Sequence, residues 1–151
     1  MKRRKQPDDS QPLPSETIRR LAWFRYRIRC FLRFSERVAR SFGITPQQHQ
    51  LLLAIKGVVE SKEEPSIGIL AERLQLQHHS TGELVDRLVE RGLVSRSRAP
   101  GDRRQVLIHL TARGEAELEK LSAFHLAELR TNGPALVSAL EAVIRRNCGK
   151  D

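Results

Sequence analysis

Residues 66–111 read SIGILAERLQLQHHSTGELVDRLVERGLVSRSRAPGDRRQVLIHLT, and the changes of hydrophobic period within this stretch decide the fold. Ile67, Leu70, Ala71 and Leu74 fall at the spacing of one helix face, with Ser66 placed as N-cap, so a short helix is expected from Ile67 to about Leu76. After a break around Gln75 to Gln77 a second helix is expected, from Gln77 to Arg91. Leu84, Val85, Leu88 and Val89 lie on one side, His79, Ser80, Glu83 and Arg87 are turned elsewhere, and Gly92 is a left-handed C-cap.

The period then falls from 3.6 to 2. Val94 to Arg98 reads as a strand. In Gln105 to Leu110, Val106, Ile108 and Leu110 alternate with Gln105, Leu107 and His109, so two strands flank a turn over residues 99–104. Helix, turn, helix and a hairpin with a basic tip make a winged helix-turn-helix, a mainly helical fold with a small β wing. The small Ala71 suits the closest approach of the two helices. Gln77, His78, His79, Ser80 and Thr81 fall on the first turn of the second helix, where hydrogen-bonding side chains meet base edges in the major groove. Arg98, Arg103 and Arg104 at the hairpin tip suit phosphates or a narrow minor groove. Arg87 adds a cation to the second helix, beside Glu83, whose carboxylate needs either a cytosine amino group or a neighbouring cation if it faces DNA. Gly82 is unusual, since an interior helical glycine costs about 1 kcal/mol relative to alanine. Either the helix is loosened there or a DNA backbone approaches closely.

The run Asp102-Arg103-Arg104 followed by Ile108-His109-Leu110-Thr111 and Gly114 resembles the wing signature of the multiple-antibiotic-resistance regulator (MarR) family, and residues 84–94, LVDRLVERGLV, resemble that family's recognition helix and first wing strand. The resemblance extends over nearly the whole chain from about Ser15. It implies a homodimeric bacterial transcription factor, usually a repressor, that binds an inverted-repeat operator and is released by a small molecule or an oxidant. It also implies that Asp86 pairs with the wing arginine Arg104 and orients the wing, together with Asp102. A cleft is implied between the dimerisation region and the DNA-binding lobe, and Trp23, Arg27, His49 and Lys56 are the candidates to line it for an anionic or aromatic effector.

The composition agrees with a polyanionic partner. The formal net charge is +9 and the sequence pI about 10.5. Residues 1–14 carry Lys2, Arg3, Arg4 and Lys5 among Pro, Asp and Gln, and read as a disordered basic arm. The body stays basic without them. Residues 15–151 read as a single domain, with 15–60 and 111–148 as dimerisation and core helices around the 66–111 block. No apolar run approaches membrane-spanning length and no apolar segment follows the basic N-terminus, so a cytoplasmic protein without a membrane partner is expected. Cys30 and Cys148 lack metal-site or disulfide-framework spacing, which fits a reducing compartment.

From Ser15, a plausible N-cap, a long amphipathic helix runs to Gly43. It holds Trp23, Phe24, Tyr26, Phe31, Phe34 and Phe42, more apolar area than one face of a lone helix hides, so a second subunit is expected against it. The arginines at 19, 20, 25, 27, 29, 33, 37 and 40 fill its remaining surface. Thr45-Pro46 opens a second helix to about Glu60, buried through Leu51, Leu52, Ala54, Ile55 and Val58. Beyond the wing, Thr111 caps a helix to about Thr131. Asn132-Gly133-Pro134 is then expected to break it before a last helix from Ala135 to about Asn147, which with the first helix forms a two-fold interface.

Other chemistries find less in the sequence. Adjacent histidines such as His78 and His79 point in different directions on a helix, and no local acid or cysteine completes a metal site, so neither a metal nor any other cofactor is expected. There is no glycine-rich phosphate loop, nucleophile elbow or HExxH, which argues against an enzyme. Two alternatives stay open: a winged-helix protein-interaction module, because the fold does not dictate its ligand, and a redox-sensing regulator using Cys30, which sits between the cations Arg29 and Arg33.

Overall fold

The computed structural model describes residues 12–145, in the order α1 (Ser15–Ser41), α2 (Pro46–Glu60), α3 (Ile67–Leu74), α4 (His78–Glu90), β1 (Val94–Ala99), β2 (Asp102–Leu110) and α5 (Ala112–Ile144). The basic run Lys2 to Lys5, Cys148 and the expected helix end at Asn147 lie outside the described residues. The chain separates into two compact units, one of residues up to Leu32 and from Glu128 onward, the other Arg33–Ala127.

The Arg33–Ala127 unit holds the helix-turn-helix and the wing. Leu51, Leu52, Ile55 and Val58 of α2, Leu70 of α3, and Leu84, Val85 and Leu88 of α4 form one buried cluster, completed by Ile108 and by Leu118 and Leu121. Local signals set the helix ends. Thr45 Oγ1 accepts from the Gln48 N–H at 3.2 Å while Gln48 Oε1 accepts from the Thr45 N–H at 2.9 Å, a reciprocal cap ahead of Pro46. Ser66 Oγ caps α3 through the Ile69 N–H, and Gly43 and Gly92, both at positive φ, follow α1 and α4. At the start of α1 the carbonyl of Pro14 takes the first helical N–H groups, so Ser15 is the first helical residue rather than the cap.

The wing is an antiparallel hairpin longer than the alternation suggests. Its strands close on the two-residue turn Pro100-Gly101, where Gly101 has φ 91°, a conformation that glycine adopts without steric cost. The register runs from Val94↔Leu110 to Arg98↔Val106 and then jumps to Ala99↔Asp102, so residues 103–105 bulge out of β2. Simple alternation fails in β2: Leu107 and Ile108 are both buried while Val106 is exposed. Another segment supplies the reason. The Ile108 N–H donates to the Pro65 carbonyl and Ser66 pairs with Leu107, so the approach to α3 covers the outer edge of β2.

Thr111 binds the wing to α5. Its hydroxyl donates to the Gly92 carbonyl at 2.7 Å and accepts from the Gly114 N–H at 3.0 Å, while its own N–H donates to the Leu93 carbonyl. This brings the Leu93 carbonyl so close to Gly114 that a β-carbon there would lie 2.0 Å from the oxygen.

In the other unit, the first part of α1 and the last part of α5 run antiparallel. Arg20 Nη1 donates to the Ala142 carbonyl at 3.3 Å and Arg27 Nη2 to the Asn132 carbonyl at 3.5 Å. The break expected at Asn132-Gly133-Pro134 is corrected here: α5 continues through Pro134 to Ile144. Proline removes one intrahelical bond, but Asn132 Nδ2 donates to Glu128 Oε1 at 2.9 Å and Arg27 reaches in from α1, so the turn keeps other polar contacts.

Candidate nucleic-acid interface

The helix of interest, α4, begins at His78 with Gln77 as an extended N-cap whose side chain makes no capping bond. Gln77, His78 and His79 are exposed and Ser80 is half-buried, its Oγ 3.4 Å from His79 Nε2. Helix N-termini leave backbone N–H groups without intrahelical partners, so this end presents both donors and polar side chains outward. Thr81 does not share that surface. It is completely buried and its hydroxyl donates to the Gln77 carbonyl at 3.1 Å, so the expectation that it reads bases is corrected. Thr81 precedes Leu84, Val85 and Leu88 on the core side of the helix, and its hydroxyl is satisfied within the turn. Arg87 and Glu83 are exposed.

Asp86 is the link between helix and wing, through a different arginine from the one expected. Arg96 Nη2 of β1 donates to Asp86 Oδ1 at 2.6 Å, which corrects the pairing with Arg104. The physical reason is the hairpin's course: β1 leaves α4 after a short turn and brings Arg96 alongside, whereas Arg104 lies in the bulge near the far end. Arg104 is exposed there, and its backbone N–H donates to Asp102 Oδ1 at 2.9 Å, so Asp102 shapes the bulge. Arg103 lies in β2 within the same bulge, and Arg98 is exposed on β1. Sequence reading missed Ser97 and His109, which meet diagonally across the hairpin, Ser97 being opposite Leu107 and His109 opposite Ser95, with Ser97 Oγ 2.7 Å from His109 Nε2. The regular part of the register, between α4 and the bulge, brings them together.

The four residues expected to line an effector cleft have different surroundings. Trp23 is exposed and stacks on Tyr26 at 5.3 Å, with the Arg27 guanidinium 6.0 Å from its ring, so these two are brought together. Arg27 also lines a cavity of about 120 Å³ with Cys30, Phe31, Asn132 and Leu136, and its buried Nε has no hydrogen-bond partner among the described residues. Cys30 is half-buried there and bonds with the Tyr26 hydroxyl, which raises the Tyr26 pKa. Lys56 instead bridges Glu115 at 3.1 Å and Glu60 at 3.5 Å on the rim of an open groove floored by Leu53 and Leu118, and the Glu115 bond raises its pKa.

His49 is 1 % exposed, and among the described residues neither of its ring nitrogens has a hydrogen-bond partner. Its ring stacks on His125 of α5 at 4.6 Å, and Phe34 meets His125 edge-on at 6.1 Å. Burial, and then the charge of His125, push the His49 pKa down to about 4; burial also lowers that of His125. Among the described residues no three His, Cys, Asp or Glu side chains converge as a metal site, and no helix is long and apolar enough to cross a membrane.

The arrangement is a helix-turn-helix and basic hairpin, and the sequence model of the MarR family matches residues 42–105, from the end of α1 through the helix-turn-helix to the start of β2. Over these residues the chain is similar to the MarR family. The chain is 28% identical over 97 residues to a Thauera aromatica protein named for transcriptional regulation of the hcr operon; that alignment takes in 64% of this chain and 56% of the relative, so the chain matches little more than half the relative's length. Among solved structures, a variant of MepR from S. aureus bound to an oligodeoxyribonucleotide superimposes with TM-score 0.58 at 17% identity, covering 84% of each chain. CouR from Rhodococcus jostii bound to p-coumaroyl-CoA does so with TM-score 0.59 at 23% identity, covering 80% of this chain and 88% of CouR. At these identities the winged helix-turn-helix fold is what the structures share with this chain.

Proposed function

We propose that the chain is a transcriptional regulator that binds duplex DNA as a homodimer. In this reading α4 lies in the major groove, with Gln77, His78, His79, Ser80 and Arg87 toward the bases or phosphates, and Arg98, Arg103 and Arg104 of the wing reach the flanking minor groove or backbone. The observation that carries it is the Asp86–Arg96 pair, which fixes the arginine-bearing hairpin to the polar helix as one surface. MepR bound to an oligodeoxyribonucleotide supports the same use of the fold.

The dimer is supported by apolar area left open on the unit of α1 and the end of α5. Ile18, Leu21, Trp23 and Tyr26 on α1 and Val137, Leu140 and Ile144 on α5 are exposed, and a second copy would cover them and set two α4 helices on the halves of an inverted repeat. A small-molecule effector, anionic or aromatic, relieves repression in this reading. CouR bound to p-coumaroyl-CoA supports a ligand-responsive regulator, and the arginine-lined cavity at Cys30 is a place to test. The protein then acts as a bacterial cytoplasmic repressor rather than as a catalyst.

Selection of bound duplexes from a random pool, followed by affinity against salt, tests the reading. A two-fold-symmetric motif with a steep salt slope is expected, because phosphate neutralisation releases counterions. Weak, sequence-independent binding alone would overturn it.

A further inference from the structure

Gly82 sits in the middle of α4, and nothing in the fold requires glycine there. Its φ is not positive. A β-carbon built on it meets no atom within 4 Å, in contrast to Gly114, where the Leu93 carbonyl occupies that space. An interior helical glycine is less stable than alanine, so folding alone favours alanine at this position.

Its place on the helix suggests what the missing methyl group leaves room for. The buried face of α4 is Thr81, Leu84, Val85 and Leu88. Gly82 lies at the border of that face, itself half-buried, with His78 and His79 a turn before it and Asp86 a turn after, all three exposed. Because Asp86 is drawn to Arg96, its carboxylate is held by the wing. Where the buried face gives way to the exposed one, the helix therefore contains a notch one methyl deep, bordered by longer side chains.

We infer that this notch is a steric reading element that receives the C5-methyl group of a thymine in the major groove. The inference rests on the DNA-binding reading above and adds a specificity determinant to it. Gly82 carries no side-chain donor or acceptor, and its N–H belongs to the helix, so it selects by shape. The group that distinguishes bases by bulk in the major groove is the thymine methyl. A β-carbon at position 82 would occupy the space the methyl group fills.

The test is Gly82→Ala in the full chain, on the operator recovered by selection, with each thymine of a half-site replaced in turn by deoxyuridine. The melting temperature should rise by roughly 2–4 °C while operator affinity falls about tenfold, opposite movements that a misfolded variant would not show. At one thymine position, deoxyuridine should return Gly82→Ala to the affinity of the wild type on the same duplex. Unchanged operator affinity in Gly82→Ala overturns the inference and leaves DNA binding standing. Lost affinity that no deoxyuridine restores overturns the thymine assignment in favour of backbone approach. A wild-type protein that selects no duplex removes the DNA-binding reading, and this inference with it.

Discussion

Asp86 of α4 and Arg96 of β1 form an ion pair at 2.6 Å that ties the helix to the first strand of the wing. Both side chains are about half exposed, 55% and 40%, so the pair contributes at most about 1 kcal/mol to stability, and its main effect is on where the wing points. Asp86→Ala and Arg96→Ala should each weaken operator binding about three- to tenfold with little change in melting temperature, and the double variant should lose less than the product of the two. A double-mutant cycle by fluorescence anisotropy measures this. Full additivity would separate the pair from wing orientation, and the same cycle with Arg104 should show no coupling.

Arg104 acts through phosphates in this scheme. Its side chain is exposed in the bulge, and its backbone N–H is held by Asp102. Arg104→Ala is expected to reduce affinity about tenfold across sequences and to lower the salt slope by about one. An unaltered slope at matched salt would remove Arg104 from the interface.

Gly114 is demanded by packing, unlike Gly82. A β-carbon there would stand 2.0 Å from the Leu93 carbonyl oxygen, which Thr111 also uses as a backbone acceptor. Gly114→Ala must move backbone at the junction of wing and α5 and should cost about 2–4 kcal/mol. Urea unfolding measures it, and a loss below about 0.5 kcal/mol would mean the junction shifts freely.

The buried histidine stack predicts loss of stability in acid. His49 titrates at about 4 in the folded chain against an ordinary 6.5, so above pH 6.5 both folded and unfolded states are neutral there and stability is complete. As pH falls from 6.5 toward 4, the unfolded chain takes up the proton and the folded chain does not, so up to about 3 kcal/mol is progressively lost. His49→Phe keeps a ring against His125 and removes that titration. Its urea midpoint should fall less between pH 8 and pH 5 than that of the wild type; equal falls would place the acid sensitivity elsewhere.

Much of the fold was legible in the sequence because its signals are local. The caps at Thr45, Ser66 and Thr111 act within three residues, the glycines after α1 and α4 mark their ends, and the switch of period at Val94 announces the wing. The exposed half of the candidate interface, Gln77 to His79 with Arg98 and Arg104, followed from the same periodicity. Thr81 did not, because a hydroxyl in a first helical turn can face a base or its own helix, and only docking of α4 against the core chooses.

The sequence by itself determined the succession of helices and strands as far as the wing, the caps of α2, α3 and α5, and the apolar faces of α2 and α3, since these depend on backbone preferences and on residues within a turn or two of one another. Tertiary structure alone decided the rest. Register and bulge gave Asp86 to Arg96 rather than Arg104; the Pro65–Ser66 segment buried Leu107; contacts from α1 accompanied the passage of α5 through Pro134; and folding stacked His49 on His125 from far along the chain. Each of these turns on which of several chemically equivalent partners lies within a few ångströms, a matter of distance in space that spacing along the chain does not encode.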